Sequence, residues 1–361
     1  MRIKEITVGE LPGFIKSEEF ATLEPKPITP LRAISQFKNP AARPENKALV
    51  FAAENNTLLA FAGLLPQAMP GTNEPVFSNS GWWAHPRLGR KFGLPIFLKA
   101  FSICNQQMFL TDCTAHTKSI LEKTGLFTFS PEITGSRFFL RFYSGDWLRR
   151  KGKNRLISAL FSFVDKSLNA LFDLRFFFLL NKNLTKKYSI SASNTLNAGH
   201  AAFIEKHPGS SFLKQDSAKL NWAVQNPWIT TKKEEPGISY PFTYRVENFK
   251  QEFLEIKKGG EIVALLLLSV RDNHASVPFI YFEKELLDDV AQVLWRYLFQ
   301  IKSYSLIVFF PELRNALRKT GRMWLFQKNI NRFAGYSKQM NSIFTEKKYF
   351  FQDGEGDVVF T

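Results

Sequence analysis

The sequence predicts an α/β chain of the α+β kind, made of two tandem copies of one unit joined by an amphipathic helical linker. Three observations carry this reading. A strand–turn–strand pattern occurs twice, a strand–helix–glycine pattern follows each occurrence, and a basic, Phe-rich stretch between the copies fits neither. Each copy reads as a mixed, mostly antiparallel sheet flanked by helices, with boundaries expected at 1–146, 147–189 and 190–361. At roughly 100–200 residues per domain, 361 residues are enough for two domains.

The first hairpin lies in residues 49–66 and turns on Asn55-Asn56; the second lies in residues 253–267 and turns on Gly259-Gly260. These residue types tolerate the positive φ that a two-residue hairpin turn demands. Downstream, Met108-Phe109-Leu110 leads into a helical stretch ending Lys123-Thr124-Gly125. In the second copy Leu306-Ile307-Val308-Phe309 leads to Lys319-Thr320-Gly321. A basic residue in the last turn followed by glycine is a helix stop.

In the linker, Ile157, Leu160, Phe161, Val164, Leu168, Leu171 and Phe172 recur at helical spacing. Ser158, Ser162, Asp165, Lys166, Asn169 and Asp173 fall opposite them, so the helix is amphipathic. Residues 147–187 hold ten basic and two acidic side chains, a net +8, which is half the +16 of the whole chain. Phe176-Phe177-Phe178-Leu179-Leu180 follows the periodic part. Two readings stay open. The helix packs its apolar stripe on the domains with its cations solvated, or it lies on an anionic membrane surface with phenylalanines beneath the headgroups.

The charge is concentrated in this linker and not along a groove, which argues against a nucleic-acid partner. Met1-Arg2-Ile3-Lys4-Glu5 carries charge where a signal peptide needs an apolar core, and the longest aliphatic run, residues 262–268, is far short of the ~20 that span a bilayer. The expectation is a cytoplasmic protein, with the inner membrane face as an option. Cys104 and Cys113 alone make no disulfide framework, and five scattered histidines predict no metal site.

The chemistry concentrates in residues 78–100. A strand ends near His85, a basic glycine-containing loop follows, and a helix starts near Gly93, with Pro95 tolerable only in a first turn. Arg87, Arg90 and Lys91 thus crowd the positive end of a helix dipole, which costs stability unless an anion binds. Free N–H groups and cations at a helix start suit a pyrophosphate. The second copy has Glu283, Glu285, Asp288 and Asp289 there, which would repel one. The run at Cys113 and His116 lacks a nucleophile turn and reads as packing. Residues 219–228, Lys219 to Trp228, place aromatics near a loop as a substrate-gripping surface would, but Trp222 and Trp228 read first as core or interface filler. Residues 352–357 lack a calcium-loop pattern and read as an acidic turn before a last strand, 358–360.

Arg90-Lys91-Phe92-Gly93-Leu94-Pro95 resembles the Arg/Gln-x-x-Gly-x-Gly/Ala loop of the GNAT superfamily of acyl-CoA-dependent N-acyltransferases, with proline in the last place. Ile120-Leu121-Glu122-Lys123-Thr124-Gly125-Leu126 is similar to a second family element. The resemblance covers about residues 28–145, and residues 190–361 only through the repeat, as a degenerate copy. It implies that an amine attacks the thioester of acetyl-CoA or another acyl-CoA directly. Amides of Trp83 and Ala84 would hold pantetheine and the acyl carbonyl, and the loop with Arg87, Gly89, Arg90, Lys91, Phe92, Gly93 and Leu94 would hold the pyrophosphate. Leu121 stands where many members carry a tyrosine that protonates the leaving thiolate. His85 and Asp112, ending neighbouring strands, are the candidate bases; the alternatives are a hydrogen-bonded strand-end histidine and a helix cap. The acceptor would be a small-molecule or peptide amine. Two other functions stay open: a non-catalytic binding or scaffold protein, and a Fem-type aminoacyltransferase at the membrane.

Overall fold

The computed structural model describes the chain apart from residues 71–73, 180–181, 208–212, 214, 233–236, 321–322, 347–352 and 361. Strand β1 (Arg2–Thr7) is followed by helix α1 (Pro30–Phe37), capped by the Thr29 hydroxyl. The hairpin β2 (Lys47–Glu54) and β3 (Thr57–Gln67) closes on Asn55 and Asn56 at φ 48° and 60°. Two successive left-handed residues give a turn whose twist matches that of the strands. Then come β4 (Val76–Ala84), α2 (Gly93–Ile103) and β5 (Met108–Cys113). Helix α3 (Ala115–Lys123) stops at Gly125, φ 68°, before β6 (Phe127–Phe129) and β7 (Ile133–Phe139).

The linker forms α4 (Ser144–Arg150) and α5 (Arg155–Leu179). Beyond it lie β8 (Tyr188–Ser193) and α6 (Ser217–Gln225). The second hairpin is β9 (Phe249–Lys258) and β10 (Glu261–Arg271), turned by Gly259 and Gly260 at φ 59° and 93°. It leads through β11 (His274–Phe282), α7 (Leu287–Gln300), β12 (Ser305–Val308) and α8 (Pro311–Lys319) to β13 (Phe326–Ser337). Gly321, the expected stop of α8, lies outside the described residues.

The chain forms two compact units. One comprises Met1–Ile133, Asn194–Phe249 and Arg332–Thr361; the other comprises Thr134–Ser193 and Lys250–Asn331. In unit 1 the strands run β1-β2-β3-β4-β5, antiparallel except β4 with β5, and the end of β13 pairs with β5 and β6. Unit 2 orders β8, β9, β10, β11, β12 and β7, again antiparallel except for β11 with β12. The repeat expected from the turns and helix stops is therefore a repeat of topology. The units do not follow linear cuts at 146 and 189: β7 completes the sheet of unit 2, and the end of β13 completes that of unit 1. Each half of the chain supplies a strand to the other's sheet.

Alternation along β2 gives unit 1 a core on both sheet faces. Val50 and Ala52 join Ile96, Phe97, Leu121 and Phe127, whereas Leu49, Phe51 and Ala53 join Leu11, Phe14, Leu23 and Ile28. In unit 2 the core gathers on Trp295, which is fully buried. The strand expected at 358–360 is instead a 3-10 turn, Val358–Phe360. Its ring, not a ladder, anchors it: Phe360 stacks on Trp228 at 4.5 Å and meets Trp222 edge-on at 4.8 Å.

Helix α5 carries the expected amphipathic pattern, but its polar side faces the protein. Asp165 Oδ2 accepts from the Gly145 amide, Asn169 both accepts from Phe142 N and donates to Phe142 O, and Asp173 pairs with buried Arg141. Gly145 lies so close to Ser162 that a Cβ there would fall 2.4 Å from the Ser162 amide nitrogen. The reading in which α5 buries its apolar stripe on the domains is thus corrected. Leu156, Ile157, Leu160, Phe161, Phe163, Val164, Leu168, Leu171 and Leu174 are exposed. The side chains of Phe176, Phe177, Phe178 and Leu179 lie outside the described set.

This orientation gives a stability test. Asn169→Ala strands the half-buried amide and carbonyl of Phe142 and should cost about 1 kcal/mol or more in urea melts. Leu160→Ala should stay within about 0.5 kcal/mol, as exposed substitutions do, where a core leucine would lose about 2–5 kcal/mol.

Candidate functional site

The site begins with a register fault. β3 and β4 pair Ala62 with Trp82 but Leu64 with Asn79, so β4 holds an extra residue near Gly81, whose φ is +123°. A bulge of this kind bends its strand, and a left-handed φ is what glycine supplies. β4 pairs with β5 at Phe77–Met108 and Ser78–Phe109. Beyond Ser78 the two strands diverge and leave a cavity of about 270 Å³.

Asn79, Ser80, Gly81 and Trp82 line one side of this cavity; Leu110, Asp112, Cys113 and Thr117 line the other. Trp228, Tyr240, Phe242 and Tyr244 close it as an aromatic wall, with Arg32 and Asp357 set among them. Arg32 stacks over Trp228 at 3.9 Å, donates from Nη1 to the Tyr240 hydroxyl at 2.9 Å, and approaches Asp357 Oδ2 at 3.9 Å. Burial pushes the Asp357 carboxyl up from 3.8 to about 6, against the opposing pull of Arg32. The side chain keeps 27% of its surface exposed, so it stays reachable from the cavity it lines.

Asp357 is positioned by the acidic segment before it. Asp353 pairs with Arg332, both nearly fully buried, and Glu355 accepts from the Leu213 amide. Gly356, φ +74°, lies at the fork itself: a Cβ there would sit 2.6 Å from Thr111 Oγ1 and 2.9 Å from Ser78 Oγ. The segment is therefore a buried plug against β4 and β5, not a surface turn. Behind it Lys219 is buried, and loss of water lowers its amine to about 8, with Glu355 and Asp216 pulling the other way. The hydroxyls of Ser78, Ser80 and Thr111 and Nη2 of Arg32 are buried without a hydrogen-bond partner among the described residues. Each costs about 1–3 kcal/mol unless something polar meets it.

At the far end of β4, His85 N donates to Leu59 O on β3. Backbone N–H groups alternate along a strand, so the Trp83 amide also faces β3, whereas those of Trp82 and Ala84 face the side β5 has left. His85 Nδ1 accepts from the amides of Arg87 and Leu88, and Gly89 N donates to His85 O; the ring closes the turn. Only glycine fits at 89, since a Cβ would fall 1.9 Å from Leu59 O. The Phe92 and Gly93 amides donate to Gly89 O, and Trp82 Nε1 donates to Gly93 O at 2.9 Å, linking the cavity wall to the start of α2. The amides of Arg90, Lys91 and Leu94 bond nothing among the described residues, and the Arg87, Arg90 and Lys91 side chains are exposed. The helix start keeps both donors and cations available to an anion.

The candidate bases are thus separated. Asp112 lines the cavity and does not cap α3, whose cap is Thr114 accepting from Thr117 N. His85 belongs to the turn. Leu121 is fully buried among Phe97, Phe101 and Phe127 and belongs to the core. Burial pushes the Cys113 thiol up to about 12, and its Sγ contacts Phe333 O, which removes it as a nucleophile. In unit 2, Asp289 at the start of α7 already receives Lys187 and the Tyr188 hydroxyl. Sequence reasoning missed Arg32, Tyr240, Phe242, Tyr244 and Asp357; a glycine inside a strand, Gly81, was the one local signal of the fork.

No protein-family model matches the chain, and no curated protein matches it by sequence. Among solved structures, it is similar to a conserved protein of Enterococcus faecalis V583 described as a probable N-acyltransferase: TM-score 0.52, 10% identity, covering 96% of this chain and 74% of that one. Weaker likenesses, both at TM-score 0.48, are to a tandem GNAT protein of the clavulanic acid biosynthesis pathway (9% identity, 93% and 98% covered) and a GCN5-related N-acetyltransferase from Kribbella flavida (11%, 92% and 71%). Identity this low speaks to fold alone: the chain shares its fold with the Enterococcus faecalis protein.

Proposed function

We propose that unit 1 transfers a small acyl group, acetyl first among them, from acyl-CoA to an amine. The observation that carries this reading is the fork between β4 and β5, which joins a carboxylate-bearing aromatic cavity to a helix start with free amides and three exposed cations. The loop from Arg87 to Leu94 suits the pyrophosphate by charge and donor count. The Ala84 amide, facing the fork, is suited to polarise the acyl carbonyl, with Trp82 beside it. A cavity of about 270 Å³ is at the small end for ligand pockets, so it favours an acyl group of few carbons and the reacting end of the acceptor.

In the reaction, the amine nitrogen attacks the thioester carbonyl, the C–S bond breaks, and coenzyme A leaves as thiolate. Asp357 takes the proton from the nitrogen; Asp112, across the cavity, holds the ammonium form before it is deprotonated. A raised carboxyl pKa brings the base closer to the proton it must remove. Unit 2 lacks a cationic helix start and supplies no second acyl-CoA site in this reading. A second reading, binding of acyl-CoA without turnover, is favoured by one observation: Leu121 offers no proton to the leaving thiolate.

Calorimetry with acetyl-CoA should show binding that Arg90→Glu abolishes while thermal melts stay unchanged; unaltered affinity would mean the loop is misassigned. Thiol release on an amine panel separates turnover from mere binding. For Asp357, the acid must ionise to accept a proton, so kcat/KM should climb as pH rises through about 6. Asp357→Asn should remove that limb and cut kcat by about 10²–10⁴ with little change in acetyl-CoA affinity. Stability moves oppositely: a carboxyl whose folded pKa exceeds its ordinary 3.8 binds its proton more tightly when folded. Asp357 therefore adds stability as pH falls through 6, and the acid loss of rate is not unfolding at this residue.

A further inference from the structure

Helix α5 is inside out. Twenty-five residues at 1.5 Å each make it about 37 Å long. At about 100° per residue, its exposed apolar side chains fill one continuous arc of roughly 160°. Leu156 is 79% exposed, Phe163 69% and Leu171 66%, while Asp165, Asn169 and Asp173 are spent on holding the helix to unit 2. A solvated helix of a folded protein has the reverse pattern, and a contiguous apolar face this large marks an interaction surface.

What flanks the face says what covers it. Beside Phe163, along the α4–α5 corner, lies a concavity of about 1,010 Å³ lined by Arg149, Lys153, Arg155, Lys166 and the small residues Gly152 and Ser158. Lys153, Arg155 and Lys166 form no ion pair among the described residues. At the other end, Lys186 and Lys187 are exposed just past the helix. No helix among the described residues is long and apolar enough to cross a membrane. An apolar stripe edged by exposed cations, of which Lys187 is shared with Asp289 and Arg149 with Asp146, complements one material in particular: acyl chains topped by anionic headgroups.

We propose that α5 lies flat in the surface of an anionic lipid bilayer, its apolar arc among the acyl chains and the basic concavity over lipid phosphates. Its polar side stays fixed to unit 2, so docking needs no unfolding. The docking face stands whether or not the cleft of unit 1 transfers acyl groups, because no residue of that cleft takes part.

The test is flotation of the full chain with vesicles of phosphatidylcholine alone and of phosphatidylcholine with 30 mol% phosphatidylglycerol. Binding should occur on the mixed vesicles and fall at least tenfold on the neutral ones. Leu160→Glu with Phe163→Glu should abolish it, and Lys153→Glu with Lys166→Glu should remove the preference for phosphatidylglycerol. Both pairs should leave melting temperature unchanged, since these side chains are exposed. Failure to float with either vesicle would overturn the proposal. So would a stable dimer, seen by light scattering, that Phe163→Glu dissolves, because a second copy would then own the face. Equal binding to both vesicles would overturn the role of the basic concavity.

Discussion

The divergence of β4 from β5 is the constraint on which the rest of unit 1 depends. A single extra residue at Gly81 shifts the ladder with β3 and turns β4 away after two paired residues. Amides that would have bonded β5 are then exposed to the fork, and the space has to be walled by something else. Aromatic rings from residues 228–244 and the plug 353–357 serve as that wall. Because a carboxylate in such a wall loses water, Asp357 acquires a proton affinity that an exposed aspartate lacks.

The same strand then feeds the loop at its far end. His85 and Gly89 tie the turn down with hydrogen bonds that consume the amides of Arg87, Leu88, Phe92 and Gly93. The donors left over, at Arg90, Lys91 and Leu94, stand at the positive end of α2. In unit 2 the equivalent helix begins with Asp288 and Asp289, and Tyr188 and Lys187 already bond the latter. The two helix starts thus differ in charge: one gathers cations and free amides, the other carboxylates that are partly paired already.

Local chemistry was legible in the sequence wherever one residue type decides the backbone. Asn55-Asn56 and Gly259-Gly260 placed both hairpins, and Pro95 fixed the start of α2 near Gly93. What depends on distant partners was not legible. Periodicity shows that α5 has two faces but not which one is buried; that was decided by hydrogen bonds from Phe142, Gly145 and Arg141. Acids flanked by glycines read as an acidic turn, yet Gly356 lets the backbone run close to β4 and β5, and the Asp353 and Glu355 carboxylates are buried. Val358–Phe360 had strand propensity, and a ring wedged between two tryptophans overrode it.

The exchange of β7 and β13 has a consequence for synthesis. During translation, β1 to β5 leave the ribosome long before residues 332–337 and 353–357, which supply the neighbouring strand and the carboxylate. Until then β5 is an open edge, able to pair wrongly with another nascent chain. Maturation of the first unit is thereby coupled to synthesis as far as residue 357, and ribosome stalling or proteolytic clipping after the linker would release an aggregation-prone fragment.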